Sequence, residues 1–258
     1  MYQEFSLPTS ISFRKAEKPH AKELIIEPCF PGYGTTIGNA LRRVLLSSLK
    51  GAAIVAVKIK GVTHEFSSIE YVKEDALEII LNLKTIRFKA FGDSNDPIKI
   101  KLHAEGERIV TAKDIETSSD VEVVNKDAVI AHLTDKSAEL YMELFIQKGM
   151  GYSPTEARTH EKLELGTIAI DAIFTPIVNV SFKVENVRVG EFTNYDKLVM
   201  EIQTDGTITP EEAVKESANI LIDHFHILTG EKKDTSETSD VESTDVSEET
   251  EETKEEDK

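Results

Sequence analysis

The segment GYGTTIGNALRRVLLSSLKG, residues 32–51, opens on glycines and a threonine pair and then runs into one amphipathic pattern. Ile37, Ala40, Leu41, Val44, Leu45 and Ser48 recur at three- and four-residue spacing, which draws an apolar stripe on a helix of about four turns. Thr35 or Thr36 is placed to cap the first free backbone N–H groups, and Gly51 falls where a left-handed C-terminal cap belongs. Arg42 and Arg43 lie together in the middle, with Asn39, Ser47 and Ser48 close by. An arginine pair in such a helix is either a solvated face or a contact for a partner, and the pattern by itself leaves both open.

A phosphate loop is the rival reading of the same residues. Gly32-x-Gly34-x-x-x-Gly38 follows the strand-like run 24–26 and opens a helix, which is the setting of a dinucleotide fingerprint. The spacing is off by one residue, and Lys58-Ile59-Lys60 stands where an acidic residue should close the next strand. No Gly-Lys-Ser/Thr follows either, so the Walker pattern is missing. Nucleotide binding is the weaker reading, and no cofactor is expected.

The chain has 258 residues, 40% of them hydrophobic, enough for one large domain or two small ones. It contains no run of about eighteen apolar residues that would cross a membrane as a helix. The opening MYQEFSLPTS lacks the basic end and apolar core of a signal peptide, so a cytoplasmic location is expected. Cys29 is the single cysteine; it excludes an internal disulfide and a cysteine-cluster zinc site and reads as a buried, inert thiol. Net charge is −17, unevenly spread: residues 231–258 hold thirteen acids and four lysines, a net of −9. A chain of this sign is poorly suited to hold duplex DNA, which is bound by neutralising phosphates.

Elsewhere the pattern alternates strands with few helices. Ile11, Phe13 and residues 24–26 read as two strands around a turn at Lys18-Pro19-His20. Residues 54–59 form another, with Val55, Val57 and Ile59 expected on one face. The run 70–84 reads as a second helix, with Val72, Ala76, Ile79, Ile80 and Leu83 inward and Glu74 and Asp75 as solvated acids. Strands are expected at 98–102, 121–124, 129–133, 140–146, 167–174, 178–187 and 197–204, with turns at 92–97 and 149–154. Thr209-Pro210-Glu211-Glu212 is a capping box that starts a third helix, ended by Gly230. That helix is apolar at Ala213, Val214, Leu221, Phe225 and Leu228, and also at Ile220, Ile222 and Ile227. So wide an apolar surface is covered on more than one side, which suggests a subunit contact. Residues 231–258 contain no aromatic residue and read as a disordered acidic tail.

No catalytic or metal-binding pattern emerges. The seven histidines form no His-Glu-x-x-His arrangement, there is no nucleophile elbow, and no aspartate cluster would hold Mg²⁺. Two functional alternatives differ in class from an assembly protein: an enzyme using the 32–38 loop for a nucleotide, and an acidic-tailed chaperone that screens basic partners.

The motifs GYGTTIGNALRRVLLSSLKGAAI (32–54), GVTHEFSSIEYVKEDALEIILNLK (61–84), AHLTD (131–135), KGMGY (148–152) and the run DAIFTPIVNVSFKVENVRVGEFTNYDKLVMEIQTDGTITPEEA (171–213) are long and ordered along the chain. Together they resemble the N-terminal domain of the bacterial RNA polymerase α subunit, from near the start to about residue 230. The resemblance implies an α+β, two-lobed chain: a dimerisation lobe of residues 1–50 and 178–230, with a mostly β lobe, residues 51–177, inserted in it. It implies a homodimer through the first and last helices, with Ile37, Leu41, Val44, Leu45, Leu221, Phe225 and Leu228 in the contact. It implies recruitment of the β subunit through Arg43 and Leu46 and of β′ through Lys84 and Ile170, with ω and sigma joining in the full enzyme. On this reading the chain is a non-catalytic subunit of a nucleotidyltransferase. Members of the family usually continue into a helical C-terminal domain that binds promoter DNA; only the acidic tail follows Gly230 here, so little direct DNA binding is expected.

Overall fold

A computed structural model describes residues 5–92, 96–158 and 164–230; the tail expectation and the centre of the 92–97 turn lie outside the described residues. Among the described residues the fold is α+β, with three α-helices and two main antiparallel sheets.

The first sheet has the order β1 (Ser10–Lys15), β2 (Ala21–Cys29), β15 (Phe192–Thr204), β14 (Ile177–Val189), so its outer halves come from opposite ends of the chain. Strand β15 shows why it sits centrally: Asp196, Leu198, Met200, Ile202 and Thr204 alternate inward and are all buried. Helix α1 (Tyr33–Ser47) packs on β14, β15 and β2, and helix α3 (Pro210–Thr229) packs on α1 and β15. Leu24, Leu45, Leu49, Leu198, Met200 and Ala213 fill the space between. Each fully buried leucine there contributes about 1.5–3 kcal/mol.

The second sheet is built between these halves. In chain order its members are β3 (Lys50–Ile59), β4 (Phe88–Ala90), β5 (Ile98–Glu105), β7 (Ile115–Glu116), β8 (Val121–Val123), β10 (Glu139–Met150) and β12 (Thr167–Ala169). The spatial order is β7-β5-β10-β3-β4-β8, with β12 also on β3. Two small pairs accompany it: β6 (Arg108–Thr111) with β9 (Val129–Leu133), and β11 (Tyr152–Ser153) with β13 (Ala172–Ile173). Helix α2 (Ala76–Leu83) buries Ala76, Ile79, Ile80 and Leu83 in the core of this part, as its periodicity predicts.

Several local expectations are corrected. Val55 does not share a face with Val57 and Ile59; a register shift opposite residues 145 and 146 turns Val55 toward Ala172 and Phe174 instead. The second helix starts only at Ala76, because Asp75 caps it by accepting a hydrogen bond from the Glu78 N–H at 2.7 Å. Residues 167–174 form two short strands, not one. Residues 149 and 150 continue strand β10 before the chain turns at Gly151.

Gly51 is not a helix cap. Helix α1 ends at Ser47, and Gly51 lies in β3 opposite Gly149 of β10. A Cβ on Gly51 would stand 1.8 Å from the Phe174 carbonyl oxygen, and one on Gly149 would stand 2.7 Å from the Phe174 ring. The paired glycines form the slot through which the chain passes on its way from the second sheet to β14.

Candidate protein–protein interface

Helix α1 begins two residues before the threonine pair, at Tyr33, with Gly32 in the left-handed region as its N-cap and no side-chain cap of its own. Its free N–H groups are met from a distance: those of Gly32 and Gly34 donate to Asp196 Oδ2 at 2.9 and 3.0 Å. Asp196 is a buried carboxylate at the positive end of the helix dipole, the position an anionic ligand would take. The anion site of the Gly32–Gly38 pattern is therefore filled by the protein's own side chain. Gly34 and Gly38 have a packing reason: a Cβ at Gly34 would meet Asp196 and Val184, and one at Gly38 the Phe182 ring at 2.8 Å. The nucleotide-loop reading does not survive this geometry. The sequence signal for Asp196 was its parity, an acid on the inward register of a strand.

The residues expected at the dimer contact separate into two groups. Leu41 and Leu45 are 6% and 0% exposed and lie in the chain's own core against the sheet, where they have little surface left to offer a partner. Ile37, Val44 and Leu221 are half-buried at the border of that core. Phe225 and Leu228 are 58% and 80% exposed. Ile222 and Ile227 join them, leaving four large apolar side chains exposed on the last two turns of α3, among polar ones. A second apolar pair lies on the same side of the sheet: Ile11 and Phe13 of the edge strand β1 are opposite Ile26 and Leu24, whose side chains face the helices, yet both are exposed.

Arg43 and Leu46 lie on the outer side of α1, three residues apart and therefore neighbours on its surface. Both are exposed, and the Arg43 carbonyl is held by the Ser47 hydroxyl at 2.8 Å. Lys84 and Ile170 are brought together from distant parts of the chain. Lys84 Nζ pairs with Asp171 Oδ2 at 3.1 Å, while Asp171 Oδ1 accepts from the Thr155 N–H at 2.9 Å. That backbone hydrogen bond, with Lys84 beside it, holds the Asp171 carboxyl below its usual range. The Ile170 side chain is buried in the core and its carbonyl accepts a hydrogen bond from Arg158.

A second, part-buried contact of a carboxylate escaped the sequence reading. Glu74 is not a solvated acid: it accepts from the His132 backbone N–H at 2.7 Å and from His132 Nδ1 at 2.5 Å. A carboxylate can only accept, so Nδ1 carries the proton. Burial works against the Glu74 charge, but the hydrogen bonds from His132 outweigh it and hold the carboxyl below its ordinary value. Cys29 is buried, its Sγ 3.7 Å from the Ile26 carbonyl, and burial pushes the thiol pKa up. Among the described residues no group of three or more His, Cys, Asp or Glu stands where it could hold a metal ion. No helix among them is long and apolar enough to cross a membrane.

A helix-covered sheet holds a second, β-rich sheet between its two halves in the chain and leaves large apolar side chains exposed at the end of α3. Residues 57–175 match the RNA polymerase Rpb3/RpoA insert domain. Three similar proteins are each named DNA-directed RNA polymerase subunit alpha. That of Carboxydothermus hydrogenoformans is 47% identical over 203 residues, covering 79% of this chain and 64% of its own length. That of Alkaliphilus oremlandii is 49% identical over 212 residues, covering 82% and 66%. That of Clostridium kluyveri is 47% identical over 224 residues, covering 87% and 70%. This chain thus spans a little under two thirds of the first two relatives, and it belongs to the bacterial RNA polymerase α-subunit family.

Proposed function

We propose that this chain is an assembly subunit of DNA-directed RNA polymerase, with no active site of its own. Two copies pair through α1 and α3, and the dimer recruits β to one protomer and β′ to the other; ω and sigma complete the enzyme. Residues 1–50 and 178–230 act as the dimerisation lobe and residues 51–177 as the inserted lobe.

The observation that carries this reading is the open apolar end of α3, with Ile222, Phe225, Ile227 and Leu228 exposed on one helix. A surface of that kind marks a contact with another protein. The contact residues are Phe225 and Leu228, with Ile37, Val44 and Leu221 at its edge. Arg43 and Leu46 present the β contact on the outer side of α1. Lys84 presents the β′ contact, steadied by Asp171 and by Ile170 beneath. The polymerase works in the cytoplasm, and a chain of net charge −17 adds little direct affinity for DNA.

Co-purification with the other polymerase subunits tests the proposal. The tagged chain should bring down β and β′ in equal amounts at two copies of itself per complex. Recovery of a monomer free of both would overturn it. The chaperone alternative predicts instead that activity requires the acidic tail, which truncation at Gly230 distinguishes.

A further inference from the structure

A groove of about 780 Å³ runs beside the glycine slot, between the end of the second sheet and the turn that leads into α3. Its rim carries Lys50, Lys89 and Lys148 against one acid, Glu212. Lys148 is engaged by the Phe91 and Gly92 carbonyls. Lys50 and Lys89 are exposed, and neither has an ion-pair partner among the described residues; Lys89 Nζ lies over the Phe91 ring, 5.8 Å from its centroid. The Glu212 carboxylate accepts from the Thr209 backbone N–H at 3.0 Å and hydroxyl at 2.8 Å as part of the capping box, and Lys89 is the nearby positive charge it feels. The groove is thus a locally basic site in a chain that is otherwise strongly acidic.

We propose that residues 231–258 of the same chain dock in this groove, with their carboxylates on Lys50 and Lys89. Charge complementarity is the first reason, since the segment has a net charge of −9. Reach is the second. The groove adjoins the start of α3 and the segment leaves from its end; a helix of 20 residues is about 30 Å long, and 28 residues of extended chain span about 90 Å. Effective concentration is the third, because a tethered partner binds its own chain before a free acidic competitor of equal affinity. Docked, the segment neutralises the two lysines and covers the joint between the sheets.

Zero-length carbodiimide coupling of the full chain, read by mass spectrometry, tests this. At about 0.01 M salt, where screening reaches about 30 Å, Lys50 and Lys89 should couple to acids of residues 231–258 several-fold more than Lys101 and Lys136, which lie outside the groove. At about 1 M salt the preference should vanish. In a mixture of light and heavy isotope-labelled protein the couplings should join peptides of one label only. The double substitution Lys50→Gln with Lys89→Gln should raise the rate at which a glutamate-specific protease cuts residues 231–258, with the folded part unchanged by circular dichroism. Equal coupling at all four lysines, coupling between the two labels, or a cutting rate unaltered by the double substitution would each overturn the proposal.

Discussion

Gly51 and Gly149 are defined by what they leave room for. They are register partners in adjacent strands, and Phe174 occupies the space that two Cβ atoms would need. The obstacles differ in kind. At Gly51 it is a backbone carbonyl, which can move only with the chain; at Gly149 it is an aromatic ring, which can tilt. Overpacking costs about 1–3 kcal/mol and more where backbone must shift, so Gly51→Ala should cost at least about 3 kcal/mol and Gly149→Ala about half of that. Urea midpoints at unchanged slope would measure both, and a Gly51→Ala protein as stable as its parent would contradict the slot. One part of the pH response has an equally local origin in Glu74. Its folded pKa lies below the ordinary value of 4.5, so the carboxylate contributes stability that is complete above that value and is lost as pH falls through the lower folded pKa. Unfolding midpoints followed from pH 7 to about pH 3 should fall on the acid side, and Glu74→Gln should flatten that fall while lowering stability at neutral pH.

Helices α1 and α3 show what sequence could and could not reveal. The capping box of α3, its proline and its terminal glycine are local signals, read correctly because the groups that satisfy one another lie within three residues. The start of α1 is not legible in the sequence because its cap, Asp196, lies 164 and 162 residues from the N–H groups it meets, and propensity carries no trace of such a partner. Periodicity likewise gave the apolar side of α1 but could not say whether a sheet of the same chain or a second molecule covers it. Leu45 proves to be internal and Phe225 external. The two therefore predict different outcomes. Leu45→Glu would bury a charge without a partner and should prevent folding, since such a burial costs several kcal/mol. Phe225→Glu introduces its charge at a water-exposed position of the single chain and should leave circular dichroism intact while converting a dimer to a monomer in light scattering. An unchanged dimer would remove α3 from the contact.

At the scale of the whole molecule, the two sheets set the candidate contacts on separate surfaces. The open end of α3 belongs to the helix-covered side of the first sheet, Arg43 and Leu46 to the outer side of α1, and the Lys84–Asp171 pair to the second sheet beyond the glycine slot. Contacts without shared residues should lose function one at a time, since distant sites add and neighbours couple. Arg43→Ala is the cleanest case. The residue is exposed, has no ion-pair partner among the described residues, and is replaced by the better helix former, so neither the fold nor α1 should weaken. What disappears is a planar set of up to five donors that can meet a carboxylate or carbonyl on another chain. The variant should therefore form a normal dimer in light scattering and still carry an intact Lys84–Asp171 surface, yet recover β in co-purification at least about tenfold less well, the loss expected when one good charge-assisted contact worth about 1.4 kcal/mol or more is removed. Full recovery of β would make Arg43 a solvated surface residue and move the β contact elsewhere on α1. Loss of the dimer together with β would instead place Arg43 in the contact between protomers.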